Sequence, residues 1–111
     1  KALQKIDIFH MEQLAYVLSR MRTIKESDGS SLLDNSLVTY GAGLGDGATH
    51  QYYDLPLIVA GKAQGQIKQG RFIRSQSGTL NSNMWLTVAQ LMGLDIDAYA
   101  DSTGVISDLW T

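Results

Sequence analysis

Between residues 3 and 24 the apolar side chains Leu3, Ile6, Leu14, Val17, Met21 and Ile24 recur every three or four positions, with His10 completing the row. That spacing marks one face of a long amphipathic helix. Ile8, Phe9, Met11, Ala15 and Leu18 fall on its other side. Apolar surface therefore extends beyond a single stripe, and the helix is expected to pack on two sides. Arg20, Arg22 and Lys25 suit the negative end of its macrodipole, and Asp28-Gly29 supplies a stop.

Two short runs of β-favouring residues follow. Leu37-Val-Thr-Tyr40 comes after the turn signal Asp34-Asn35, and Leu57-Ile-Val-Ala60 lies between Pro56 and Gly61. Their nearly continuous hydrophobicity is that of strands covered on both faces. Residues 65–70 read as a turn, and the alternation in Arg71-Phe-Ile-Arg74 predicts a third, more polar strand at a sheet edge. Asn81 or Ser82 is placed to cap a second helix. Met84, Trp85, Val88, Leu91 and Met92 line one side of it, and Gly93 stops it. Asp101-Ser-Thr-Gly104 reads as a turn, and Leu109 and Trp110 are expected to dock back onto the body. The order predicts one α/β segment over residues 1–111: a few short strands flanked by a long N-terminal helix and a shorter second helix. So few strands resemble the edge of a larger sheet.

The 111 residues suffice for one modest core, and 44% hydrophobic with 18% charged residues is an ordinary globular composition. The net charge is −2 and the basic residues are scattered, without the basic stripe of a nucleic-acid surface. No apolar run reaches the roughly 20 residues that span a bilayer. The absence of cysteine removes disulfides, thiolate metal sites and cysteine nucleophiles.

The stretch YGAGLGDGATHQYYD, residues 40–54, is where chemistry is expected. Gly43-x-Gly45-x-x-Ala48 formally matches a relaxed dinucleotide fingerprint. That fingerprint works by delivering a pyrophosphate to a helix N-terminus, and no amphipathic pattern follows here. Gly61-Lys62 lacks the Ser or Thr of a phosphate-binding loop. Asp46, His50 and Asp54 are spaced four apart and are the candidate metal ligands, since carboxylate and neutral imidazole suit divalent zinc, manganese or iron. Two histidines in the whole chain favour a share in a site over a complete one. Turn chemistry is the alternative for Asp46 and Asp54, and a hydrogen-bonded core position for His10. Tyr52 and Tyr53 either line a pocket mouth or pack as aromatics. There is no Gly-x-Ser-x-Gly elbow.

The pieces LLDNSLVTYGAG, DGATH, DLPLIVAG and GQIKQGRFIR resemble the C-terminal part of the secreted HXXSHH-motif proteins, a bacterial family of unassigned function. The resemblance runs from Ile6 to Gly104. The family is similar in turn to a distant branch of the alkaline phosphatase and sulfatase superfamily, whose C-terminal half follows the same order of helix, strand, metal-binding loop, strand and late helix. The resemblance implies a partial alkaline-phosphatase-like sheet and an exported protein, secreted or periplasmic. It also implies a divalent metal in the full-length parent, with Asp46 and His50 as the positions onto which ligand roles carry, and Asp54, Tyr52 and His10 as lining residues. The superfamily's adjacent Asp-His pair is replaced here by Asp46 and His50 four residues apart, and the naming motif would lie upstream of Lys1. If the parent is an enzyme, the implied reaction is metal-dependent hydrolysis of phosphate or sulfate esters, with this segment alone inactive. The alternative is a catalytically inactive binding or assembly domain of the cell envelope. Expected partners are the remainder of the parent chain, or a second copy through the N-terminal helix.

Overall fold

The computed structural model describes residues 2–110 and is mixed α/β. The chain divides into two compact units, one up to Gly61 and one from Lys62 onward.

The first unit opens with α1, Ala2–Thr23, within a residue of the periodic stretch. Its end is set by Thr23, whose hydroxyl donates to the Arg20 carbonyl at 2.8 Å. Asp28-Gly29 does not stop the helix. It turns a small loop beyond it, in which Lys25 bridges to Ser31 and the Asp28 carboxylate accepts the Ser30 N–H at 2.9 Å. The short α2, Leu32–Asn35, forms where a turn was expected. It is closed by a capping box: the Ser31 hydroxyl accepts the Asp34 N–H at 3.1 Å, and the Asp34 carboxylate accepts the Ser31 N–H at 3.0 Å.

β1, Val38–Gly41, pairs antiparallel with β2, Leu57–Ala60, in the register Val38 to Ala60 and Gly41 to Leu57. Among the described residues these are the only strands, and the sheet has two. The expected cover on both faces is absent: Leu57 and Ile58 are exposed and the remaining apolar positions are half-buried. β2 ends at Gly61, which takes φ +97° with its backbone against Ser36. A side chain there would overlap the Ser36 carbonyl oxygen.

The second unit begins with a tight turn, closed by the Gly65 N–H to the Lys62 carbonyl at 2.8 Å. Its two central residues, Ala63 and Gln64, are both left-handed at φ +43° and +59°. Ile67 then bridges to Trp110, and the Lys68 N–H donates to the Leu109 carbonyl at 3.3 Å. The tail thus docks as expected, with Leu109 buried. Residues 71–74 are not a strand. The Arg71 guanidinium turns back to the Lys68 and Asp108 carbonyls, and Phe72 is 92% exposed. No neighbouring strand completes a ladder there.

α3, Asn81–Leu91, starts one residue earlier than a cap at Asn81 requires. Leu80 is the N-cap and makes no side-chain cap bond, since leucine carries no acceptor; Ser82 is buried and the Asn83 side chain is engaged with Thr103. Met84, Leu86 and Leu91 are buried, as is Thr87. Met92, expected on the inner side, is 61% exposed because it is the C-cap, where the backbone has already left helical geometry. The Gly93 N–H bonds to the Gln90 carbonyl at 2.9 Å and the Leu94 N–H to Ala89 at 3.0 Å, a Schellman ending.

Polar bonds fasten the tail to α3. The Asn83 side chain accepts the Thr103 N–H at 2.8 Å and donates to the Thr103 hydroxyl at 3.2 Å. The Thr87 hydroxyl donates to the Asn83 carbonyl at 2.7 Å and accepts the Ile106 N–H at 2.8 Å. Every buried hydrophobic side chain among the described residues belongs to this unit: Ala63, Ile67, Met84, Leu86, Leu91 and Leu109.

Candidate functional site

The loop between β1 and β2 is folded by its own polar groups. The Gly45 N–H donates to the Gln51 carbonyl at 2.8 Å and the Gln51 N–H to the Asp46 carbonyl at 3.0 Å, so Asp46 and Gln51 form a bridge across a tight turn. Gly45 is needed for close approach: a Cβ there would lie 2.4 Å from the Tyr53 carbonyl oxygen. Gly43 and Gly47 have open space where a side chain would go. The alternate glycines are thus not one device.

Asp46 is exposed and behaves as a turn residue. One carboxylate oxygen accepts the Ala48 N–H at 2.9 Å, and the other accepts the Thr49 hydroxyl at 2.8 Å. These two bonds, the backbone one foremost, hold its pKa below the ordinary carboxylate value. His50 and Asp54 follow at φ +54° and +53°. Both side chains are exposed, and Tyr52 and Tyr53 are 76% and 68% exposed, so these aromatics do not pack. The backbone is held left-handed at two non-glycine residues, which costs on the order of 1 kcal/mol each. The loop presents imidazole, carboxylate and two phenol rings to solvent.

His10 is not a core histidine. It is exposed on α1, with its ring edge-on to Phe9 at 5.8 Å between centroids. The half-covered stripe of α1 is the neighbouring one, Met11, Leu14, Leu18 and Met21.

Among the described residues no group of three His, Asp or Glu side chains is placed to hold a metal ion. Both Asp46 oxygens are already engaged within the turn, so this chain's residues do not fit a complete metal centre. No helix follows the glycine turn either, residues 49–56 being turn, bend and irregular structure apart from the Gln51 bridge. A pyrophosphate would find no helix N-terminus. Among the described residues no helix is long and apolar enough to cross a membrane. Elsewhere, the Ser82 Oγ and Trp110 Nε1 are buried with no hydrogen-bond partner.

No family model, curated protein or solved structure matches the chain.

Proposed function

We propose that this chain is a segment of a larger exported bacterial α/β protein, related to the alkaline phosphatases and sulfatases, and that it supplies residues 41–54 to a ligand site completed elsewhere in that protein. The supporting observation is the state of the first unit. Among the described residues β1 and β2 pair only with each other, Leu57 and Ile58 are exposed, and no hydrophobic side chain in that unit is fully buried. A lone two-stranded pair is marginal in water and is stabilised by further strands or a covering helix. His50, Tyr52, Tyr53 and Asp54 then contribute recognition at the end of a completed sheet. This assignment rests on fold analogy for its chemical class.

Labelling tests it. The chain has no native cysteine, so Ile58→Cys gives a single thiol. In the isolated chain it is expected to react with a maleimide at the rate of a free thiol, and in the intact parent at least tenfold more slowly. Equal rates in both would remove the support for a completed sheet.

A second reading is a catalytically inactive binding or assembly domain of the cell envelope. The capture of both Asp46 oxygens by Ala48 and Thr49 favours it, because a ligand role requires that turn to give up bonds. Elemental analysis of the intact protein separates the two. Stoichiometric zinc, manganese or iron that is lost in both Asp46→Ala and His50→Ala would refute the inactive reading. Full metal occupancy in both variants would remove these two residues from any metal site.

A further inference from the structure

α1 has a second apolar surface beside its half-covered stripe. Leu3, Ile6, Phe9, Tyr16 and Val17 are 77%, 52%, 56%, 63% and 46% exposed. At 3.6 residues per turn they share one side of the helix with His10 and Gln13, and Gln4, Met11, Ala15, Leu18 and Arg22 fall on the opposite side. The order of side chains along this face matches its own reversal. When His10 is set against Gln13 of an antiparallel copy, Ile6 meets Val17, and Leu3 meets the aliphatic stem of Arg20. On one flank Phe9 falls beside Tyr16. Each pairing occurs twice, as a two-fold interface requires. The two central polar layers, each imidazole against carboxamide, are the kind that fix register in helix pairs.

We propose that this face is an interface between two copies of the chain, with their first helices antiparallel and residues 10 and 13 at the centre. The occupant follows from the self-complementary order and from area. From their fractional exposures, the five apolar side chains offer roughly 600 Å² per copy, against about 800 Å² per partner in a standard interface. An interface below standard size suits a weak dimer, with Kd of roughly micromolar order or above. Completion of the sheet concerns Leu57 and Ile58 on β2 and rests on observations independent of this pairing.

Sedimentation velocity of the full chain from about 2 to about 200 μM samples that range. The weight-average mass is expected to rise from 12.2 kDa toward twice that value. Ile6→Lys and Val17→Glu alone are each expected to remain monomeric with unchanged far-ultraviolet helix signal, since both positions are solvent-exposed. The double variant Ile6→Lys/Val17→Glu is expected to recover the dimer, because each lysine then faces a glutamate, whereas a parallel pair would set lysine against lysine. Three outcomes overturn the proposal. A wild-type chain that stays monomeric means another segment covers the face, or none does. Single variants that still dimerise place the interface elsewhere, and a helical double variant that stays monomeric refutes the antiparallel register.

Discussion

Replacing Gly61 with alanine separates two effects that usually arrive together. Gly61 has φ +97°, and an added Cβ would lie 2.2 Å from the Ser36 carbonyl oxygen and 3.1 Å from that of Leu33. Gly29 has nearly the same conformation, φ +86°, with nothing within 4 Å of its added Cβ. Alanine at Gly29 therefore carries only the left-handed cost of about 1–2 kcal/mol, less about 0.5–1 kcal/mol returned by the stiffer unfolded chain. The net loss is about 0.5–1 kcal/mol by that difference. Gly61→Ala has the same net loss plus a collision with backbone, which has no rotamer to escape into. Overpacking of this kind adds about 1–3 kcal/mol, for a total of about 1.5–4 kcal/mol. Domain stabilities of about 5–15 kcal/mol make that a large fraction. Urea unfolding followed by far-ultraviolet circular dichroism measures it, since α1 contributes 22 helical residues to the first unit. If Gly61→Ala proves no more destabilising than Gly29→Ala, the close packing of β2's end against Ser36 is wrong.

Other perturbations probe the remaining devices. Thr87→Val is expected to destabilise by about 1–3 kcal/mol because it leaves the Ile106 N–H without its acceptor, whereas Thr87→Ser should recover most of the loss; thermal unfolding of both compares them. Gln64→Gly should stabilise by about 0.5–1 kcal/mol, since the exposed left-handed residue sits where such turns prefer glycine, and a higher urea midpoint would show it. Asp46 has its folded pKa depressed by the Ala48 N–H and then the Thr49 hydroxyl. Its contribution to the turn is therefore fully present above the unfolded carboxylate value and lost as pH falls through the folded one. The Ala48 amide shift, followed by NMR, should titrate at lower pH than in a peptide of residues 44–51, and coincident midpoints would contradict the bonding.

Elements whose signals are local were legible from residues alone. The three-and-four spacing located α1, and the Gly93 stop located the end of α3 through a bond pattern that involves only neighbouring residues. What depends on distant partners was not. Arg71-Phe-Ile-Arg74 alternates as a strand does, but whether it becomes one depends on a neighbour, and the Arg71 side chain is held by the tail instead. The apolar residues of α1 occupy over half its circumference, so periodicity could not say which part is covered. A core position for His10, the alternative its place in the apolar row offers, fails for that reason: the half-covered stripe is the one beside it. In the glycine stretch the Asp46 turn was visible in Asp-Gly, but the exposure of His50, Tyr52, Tyr53 and Asp54 was not, nor was the left-handed backbone at residues 50 and 54, since that conformation is uncommon outside glycine. Asn83 and Thr87, four apart on the buried side of α3, carried a readable hint of a polar clasp that apolar patterning passes over.

That every buried hydrophobic side chain among the described residues lies after residue 62 also bears on where the molecule should open. Local opening is cheapest where few apolar contacts must be broken. Amides in β1 and β2 should then exchange with solvent orders of magnitude faster than those of α3. One half of the chain is then set by its own apolar core, and the other opens at lower cost.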